Sequence, residues 1–268
     1  MCCFRFTASA RQKESMPQAK AAALKALEMD DSLAEAHAAL GKYLSFFEFN
    51  KAGGEKELRR AIELNPNYAT AHHWLGLDLL AVTKRFDEAI PEMKRAEELD
   101  PLSPVISADA GFALILGRRY DEAILQTKRA LSLDANFANA RYTLGYAYDG
   151  KGLYAEAIAE FRKALALNDD PYVKALLVRS LAKSGRRGEA VKIVEELESE
   201  SATRYVPNYC LAMAYTALGE KDEAFALLEK DIAEHSSFVS VLAVEPALDD
   251  LRGDPRFKVM LKRLNLPE

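Results

Sequence analysis

The amino-acid sequence predicts an all-α solenoid, in which antiparallel helix pairs stack one after another along the chain. The sequence YDEAI at 120–124 recurs as YAEAI at 154–158 and as FDEAI at 86–90. A fixed period of roughly 20 to 50 residues is the signature of a repeat array. Pro66 and Pro101 separate neighbouring periods, because proline disfavours helical backbone in the residue before it.

The composition is that of a folded soluble protein, with 49% hydrophobic and 29% charged residues among 268. The net charge of −5 argues against direct nucleic-acid binding, which needs a concentrated basic face. No apolar run approaches the roughly 20 residues that cross a bilayer, so we expect no membrane association. Cys2, Cys3 and Cys210 form neither a disulfide framework nor a zinc spacing, which favours a reducing, cytoplasmic location.

The chain divides into a leader, an array and a cap. Residues 1–14 have no apolar period and are predicted to be a disordered leader. The array is predicted over 15–235, with the half unit 15–31 followed by units 32–66, 67–101, 102–135, 136–169, 170–200 and 201–235. A segment at 236–268 should cap the array, because the last repeat otherwise exposes an apolar face. There, Glu245 and Asp254 each precede a proline and predict short helices at 246–252 and 255–264.

Small residues recur where the two helices of a unit are expected to cross closely. We pair glycines of the first helices with alanines of the second: Gly76 with Ala89, Gly111 with Ala123, and Gly145 with Ala157. In the second unit, the stretch 47–54 contains two adjacent glycines and is predicted to be the turn between helices.

This 34-residue pattern resembles the tetratricopeptide repeat (TPR). The resemblance covers about residues 15–235 and implies a right-handed superhelix whose first helices line a concave groove. The tail LRGDPRF at 251–257 is also similar to the closing segment of TPR arrays in bacterial multidomain regulators. In those proteins the array follows a Ser/Thr kinase, winged-helix or cyclase domain, and no motif of such a domain occurs in this chain.

One stripe of the first helices is expected to line the groove. Rigid aromatic side chains with a polar tip are good anchors for a peptide. The residues that we expect to contact a peptide are His73, Leu77, Phe112, Tyr142, Tyr146, Tyr209 and Met213. The alternative is that some of them pack between adjacent first helices, since aromatic stripes at helical spacing usually belong to a core.

No constellation in the sequence predicts catalysis, a cofactor or a metal site. His72 and His73 are adjacent, so on a helix they point about 100° apart and do not form a ligand pair. The acidic pairs at 87–88 and 121–122 recur with the repeat and begin second helices, where a negative charge is favourable. We therefore expect no catalytic residue, no cofactor and no metal.

The function predicted from these observations is a non-catalytic protein- or peptide-binding scaffold in a bacterial regulatory pathway. One alternative is a small-molecule-sensing module with a closed pocket at Tyr142, Tyr146 and Phe112. Another is the C-terminal part of a kinase, cyclase or transcription regulator. Self-association through an apolar N-terminal edge, left open by the half unit, is a further possibility.

Overall fold

The computed structural model describes residues 10–234 and 236–268, with the side chains of 17–77, 81–234, 236 and 238–268. Its α-helices are α1 (Ala10–Met29), α2 (Ala34–Phe46), α3 (Lys51–Leu64), α4 (Ala69–His73), α5 (Phe86–Leu99), α6 (Pro104–Leu116), α7 (Tyr120–Leu133), α8 (Ala138–Gly150), α9 (Tyr154–Leu167), α10 (Pro171–Lys183), α11 (Arg187–Ser201), α12 (Asn208–Leu218), α13 (Lys221–Ala233) and α14 (Pro255–Arg263). Helix α4 continues directly as a π-helical segment, Trp74–Ala81. Two 3₁₀ helices, Ser237–Val241 and Pro246–Leu251, precede α14.

The helices form two layers of an all-α solenoid. The first helices of the units (α2, α4 with its π-helical continuation, α6, α8, α10 and α12) pack on one another. The second helices pack on the first helix of their own unit and on that of the next unit. The first helices therefore form one layer, and we call its face away from the second helices the inner face or groove.

The N-terminal helix corrects the predicted leader. Helix α1 begins at Ala10, so residues 10–14 are helical, whereas residues 1–9 lie outside the described residues. Gln12, Lys13 and Glu14 are good helix formers and extend the helix backwards from its apolar part. Helix α1 packs on α2 in the same way that the second helix of each unit packs on the first helix of the next unit.

The predicted crossings of glycine and alanine are confirmed. A Cβ atom added to Gly76 would lie 2.9 Å from the carbonyl oxygen of Ala89, and one added to Gly145 would lie 3.2 Å from that of Ala157. At Gly111 the corresponding distance, to the carbonyl oxygen of Ala123, is 3.5 Å. An alanine at Gly76 or Gly145 would therefore crowd the backbone of the second helix, whereas at Gly111 it would crowd the side-chain Oγ1 of Thr127.

The second unit departs from the prediction for 47–54. Helix α3 already begins at Lys51, because the side chain of Asn50 accepts a hydrogen bond from the backbone N–H of Gly53 at 2.9 Å and caps the helix. Gly54 therefore lies inside α3, where its added Cβ would be 2.8 Å from the carbonyl oxygen of Gly41. Gly54 belongs to the helix crossing instead of the turn, and Gly53 supplies the N–H that is capped.

The turn inside each unit contains one residue with left-handed backbone, at the same repeat position. Gly152, Gly185 and Gly219 adopt it with φ of 76°, 82° and 82°. Lys84 and Arg118 occupy this position in the two preceding units, with φ of 64° and 61°. A residue other than glycine pays roughly 1–2 kcal/mol there, so a compensating contact is expected at both.

The two predicted C-terminal helices are confirmed, the first as a 3₁₀ helix. The side chains of Glu245 and Asp254 accept hydrogen bonds from the backbone N–H groups of Ala247 (3.1 Å) and Arg256 (2.9 Å). Helix α14 packs on α13, where Arg256 contacts Asp222 at 2.7 Å and Arg263 contacts Glu229 at 2.8 Å. Residues 236–252, which we call the C-terminal segment, lie against the first helices instead.

Candidate peptide-binding groove

Glu245 is wholly buried where three successive first helices meet. Its Oε1 accepts hydrogen bonds from the hydroxyl of Tyr146 and from the backbone N–H of Ala247 (3.1 Å). Its Oε2 accepts from the hydroxyls of Tyr172 (3.1 Å) and Tyr209 (3.4 Å). The three tyrosines come from α8, α10 and α12, and we call them the tyrosine cage. One side chain of the C-terminal segment thus ties three repeat units together.

The tyrosine cage is a set of hydrogen-bond donors for a carboxylate. Burial, and then the negative charge of Glu245, raise the pKa of Tyr146, Tyr172 and Tyr209 well above the ordinary value of 10.0. The hydroxyls therefore stay protonated and can donate at neutral pH. Tyr146 also accepts a hydrogen bond from the backbone N–H of Ala247 at 2.9 Å, so it binds the backbone of the segment as well as its side chain.

Apolar contacts hold the segment on both sides of Glu245. Phe238 stacks on Tyr209, with ring centroids 5.3 Å apart and an angle of 29° between the planes. The fully buried aliphatic side chains of the segment are Val241, Leu242, Leu248 and Leu251. The segment therefore occupies the inner face of units five to seven as an intramolecular ligand.

Basic side chains at the rim bind the polar groups of the segment and the end of the chain. Arg118 donates hydrogen bonds to the carbonyl oxygen of Val244 and to a carboxylate oxygen of Asp249, each at 2.7 Å. Lys84 donates to the carbonyl oxygen of Glu268 at 2.6 Å. Both residues occupy a left-handed position in the turn of their unit without being glycine. Their contacts offset the backbone cost at these two turns.

All seven residues predicted to contact a peptide are buried, and the most exposed of them, Tyr142, is 8% accessible. Tyr146 and Tyr209 contact the C-terminal segment through the tyrosine cage. His73 and Tyr142 link adjacent first helices instead: His73 is 3.0 Å from Asp109 of α6, and Tyr142 meets Tyr172 of α10 edge-on at 6.0 Å. The other members of the set belong to the main apolar core: Leu77, Phe112 and Met213.

Sequence reasoning missed Tyr172, Arg118 and Glu245 as groove residues. Tyr172 begins α10, in a unit whose repeat pattern is weak. Arg118 lies in a turn, and the repeat pattern does not predict which turn residues bind a ligand. A signal did exist at Glu245, because it is the single charged residue in the apolar run from Phe238 to Leu248, which is too apolar for a solvent-exposed connection.

Histidines of the first helices have a structural role. His37 and His72 occupy equivalent repeat positions, and each Nδ1 lies 2.6 Å from a glutamate of its second helix, Glu57 or Glu92. Each Nε2 contacts a carbonyl oxygen in the preceding turn, at 2.9 and 3.0 Å. Among the side chains that the structure describes, no group of three His, Cys, Asp or Glu residues is arranged to hold a metal ion.

Comparison with known proteins agrees with this repeat geometry. Two family models, both described as tetratricopeptide repeat, match residues 114–180 and 50–104. The chain contains tetratricopeptide repeats. Its fold is the TPR-type solenoid of helix pairs, and the C-terminal segment lies outside both matched regions.

Solved structures with this TPR fold cover most of the chain at low sequence identity. PilF of Pseudomonas aeruginosa is 21% identical, with 79% of this chain and 96% of that chain covered and a TM-score of 0.54. PilW, a type IV pilus biogenesis factor, is 18% identical, with 75% and 93% covered and a TM-score of 0.57. A chain of the APC/C Cut9–Hcn1 complex is 14% identical, with 94% and 46% covered and a TM-score of 0.66. These similarities establish the fold alone.

No curated protein sequence matches this TPR chain significantly. Within the part of the chain that the structure describes, no helix combines the length and the apolar character needed to cross a bilayer.

Proposed function

We propose that this TPR protein is a non-catalytic scaffold that binds a protein or peptide partner along the inner face of its first helices, in a cytoplasmic regulatory pathway of a bacterium. TPR arrays generally mediate protein or peptide binding. The observation that carries the proposal is the C-terminal segment, which the groove holds through the tyrosine cage, the stacked Phe238 and the rim contacts of Arg118. A surface that binds one short apolar segment in this way suits another of similar chemistry.

Affinity capture with three full-length baits tests the proposed surface. The baits are the wild type, Arg118→Gly, which loosens the segment, and Arg119→Ala, whose ion pair with Glu122 is local to the same turn. A groove partner is retained best by Arg118→Gly and is eluted by a synthetic peptide of residues 236–252. A partner held equally by all three baits and not eluted by the peptide would assign binding to another surface.

If the small-molecule alternative holds, the candidate ligand site is a different one from the pocket expected from the sequence. The region around Tyr142, Tyr146 and Phe112 is filled by the chain itself, whereas a cleft of about 480 Å³ lies between α5, α6 and α7. Met93 and Leu114 line its apolar part, and Glu97 and Gln126 its polar part. A ligand of this cleft would be detected by a thermal shift that Leu114→Phe abolishes.

Two further proposals concern the ends of the array. The likeness to arrays of multidomain regulators suggests an effector domain encoded upstream, which the genomic reading frame would show. Self-association through the N-terminal edge is supported by the exposed apolar side chains of Leu24 (40%), Met29 (81%) and Leu33 (37%). Light scattering over a hundredfold range of protein concentration tests it, since a dimer would dissociate on dilution and a monomer would not change.

A further inference from the structure

We propose that the C-terminal segment is a displaceable, autoinhibitory ligand, and that the partner which replaces it is a polypeptide presenting one carboxylate side chain within an apolar stretch. This inference rests on the proposed function and specifies both the partner's chemistry and its regulation. The occupant defines the chemistry, because residues 241–248 read VLAVEPAL and contain one charged side chain.

The requirement for a carboxylate follows from the groups around Glu245. Two oxygens receive four hydrogen bonds, three from the tyrosine cage and one from the N–H of Ala247. Hydrogen bonds to an ionised acceptor are about twice as strong as neutral ones. A partner with an amide or an aliphatic side chain at this place would leave several buried hydroxyls with poorer partners.

The backbone of the segment, a turn followed by the 3₁₀ helix Pro246–Leu251, is bound as well as the carboxylate. The hydroxyl of Tyr146 accepts from the N–H of Ala247, and Arg118 donates to the carbonyl oxygen of Val244. Both hydrogen bonds are made to the main chain, one on each side of Glu245. Small apolar residues at these positions let the backbone approach the first helices, whereas Phe238 supplies an aromatic anchor that stacks on Tyr209.

The rim contacts of Arg118 can be removed by a substitution that suits the backbone at its position. Arg118 occupies a left-handed position at which three other units have glycine, so Arg118→Gly suits the backbone and removes two hydrogen bonds to the segment. A tethered segment has an effective concentration on the order of millimolar. When fewer contacts hold the tethered segment, a second peptide competes with it more easily.

Fluorescence anisotropy tests the inference with full-length protein and a labelled peptide of residues 236–252. We expect Arg118→Gly to bind the peptide at least about tenfold more tightly than the wild type or Arg119→Ala, since two charge-assisted hydrogen bonds are lost in the competing segment. The same peptide with Glu245→Gln should bind Arg118→Gly about tenfold more weakly. Equal affinity for the three proteins would overturn displacement, and equal affinity for the two peptides would overturn carboxylate selectivity.

Hydrogen exchange on the wild type decides the matter if Arg118→Gly loses its helical circular dichroism. Unlabelled peptide at millimolar concentration should abolish the protection of amides at 238–251 and leave that of α8, α10 and α12 intact. Unchanged protection at 238–251 would overturn displacement. A partner eluted from the affinity baits by the peptide would still support groove binding in that case, so failure of this inference is distinguishable from failure of the proposed function.

Discussion

The buried carboxylate of Glu245 accepts a hydrogen bond from the hydroxyl of Tyr172 at 3.1 Å, across 73 positions of the sequence. This contact joins the connection after the last repeat to the first helix of the sixth unit. Together with Tyr146 and Tyr209 it places the C-terminal segment inside the solenoid. The inner face of this TPR array is therefore an interior surface in part, because the C-terminal segment covers it.

Removing one hydroxyl of the tyrosine cage should destabilise the fold. Tyr172→Phe leaves an oxygen of Glu245 with one donor fewer, so we expect the free energy of unfolding in urea to fall by about 1–3 kcal/mol. The control is Tyr215→Phe, because Tyr215 also bonds a glutamate, Glu198, but at an exposed place. Its effect should stay below about 0.5 kcal/mol. Equal losses in the two variants would contradict the role of the cage.

The helix crossing of the second unit should not tolerate a methyl group. An added Cβ at Gly41 would lie 2.9 Å from the carbonyl oxygen of Gly54 and 3.0 Å from the backbone nitrogen of Leu58. We expect Gly41→Ala to lower the free energy of unfolding by roughly 1–3 kcal/mol through overpacking.

Gly188→Ala is the matched control for that substitution. Gly188 also lies in a helix, α11, but an added Cβ there meets no atom within 4 Å. Helix propensity then favours alanine by up to about 1 kcal/mol. Chemical denaturation of both variants would contradict the account if Gly41→Ala were as stable as Gly188→Ala.

How far the sequence predicts this structure differs between local and distant features. Gly76 and Ala89 could be paired in advance because a glycine followed 12 or 13 positions later by an alanine recurs in the three strong units. Gly54 was misplaced because one unit replaces the usual alanine with glycine, and a glycine pair is typical of a turn. Glu245 was recognised only as a helix cap. Its contact with Tyr172 occurs only once in the chain, so the repeat pattern does not predict it. The apolar run around Glu245 indicates that this segment is buried but does not identify the residues that it packs against.

His72 should make stability depend on pH. Burial opposes its charge, but hydrogen bonds with Glu92 and with the carbonyl oxygen of Pro66 outweigh this effect and raise the pKa above its ordinary value of 6.5. The folded state then binds the proton more tightly than the unfolded state does. The resulting stabilisation is full below about pH 6.5 and is lost as the pH rises through the folded pKa.

A pH series of thermal unfolding checks this prediction. His72→Gln should be less stable than the wild type at pH 5.5, by about 1–3 kcal/mol for the charged hydrogen bond, and the difference should shrink by pH 8.5. Gly188→Ala introduces no titrating group, so its difference from the wild type should be the same at both pH values. A His72→Gln difference that grows with pH would be opposite in sign to this prediction.

Asp231 should lower the stability of the fold as the pH rises, because it is a buried acid. Burial raises its pKa to about 7, and the hydrogen bond from Asn208 only partly counteracts this. An acid with a raised pKa destabilises the fold progressively as the pH rises from about 4 to about 7, because the folded state disfavours the charged form. Asp231→Asn should therefore be more stable than the wild type at pH 8, by up to about 4 kcal/mol.

The pH dependence of that difference identifies its cause. Urea unfolding of the wild type and Asp231→Asn at pH 8 and at pH 4.5 should show the gain shrinking towards acid, where the folded state keeps the proton and the unfolded state begins to bind it. A gain that persists unchanged at pH 4.5 would point to packing instead of charge. Asp222→Asn is a suitable control, since Asp222 is on the same helix and its side chain is 85% exposed.

Tyrosine nitration of the native full-length chain, mapped by mass spectrometry, tests the central claim most directly. Tyr205 is 54% exposed, whereas Tyr146 and Tyr209 are fully buried and Tyr172 is 4% exposed beneath the C-terminal segment. We predict rapid modification of Tyr205 and protection of the three cage tyrosines, with protection lost in Arg118→Gly when the segment opens. Modification of Tyr146, Tyr172 and Tyr209 in the wild type as fast as that of Tyr205 would show an open groove and contradict the account.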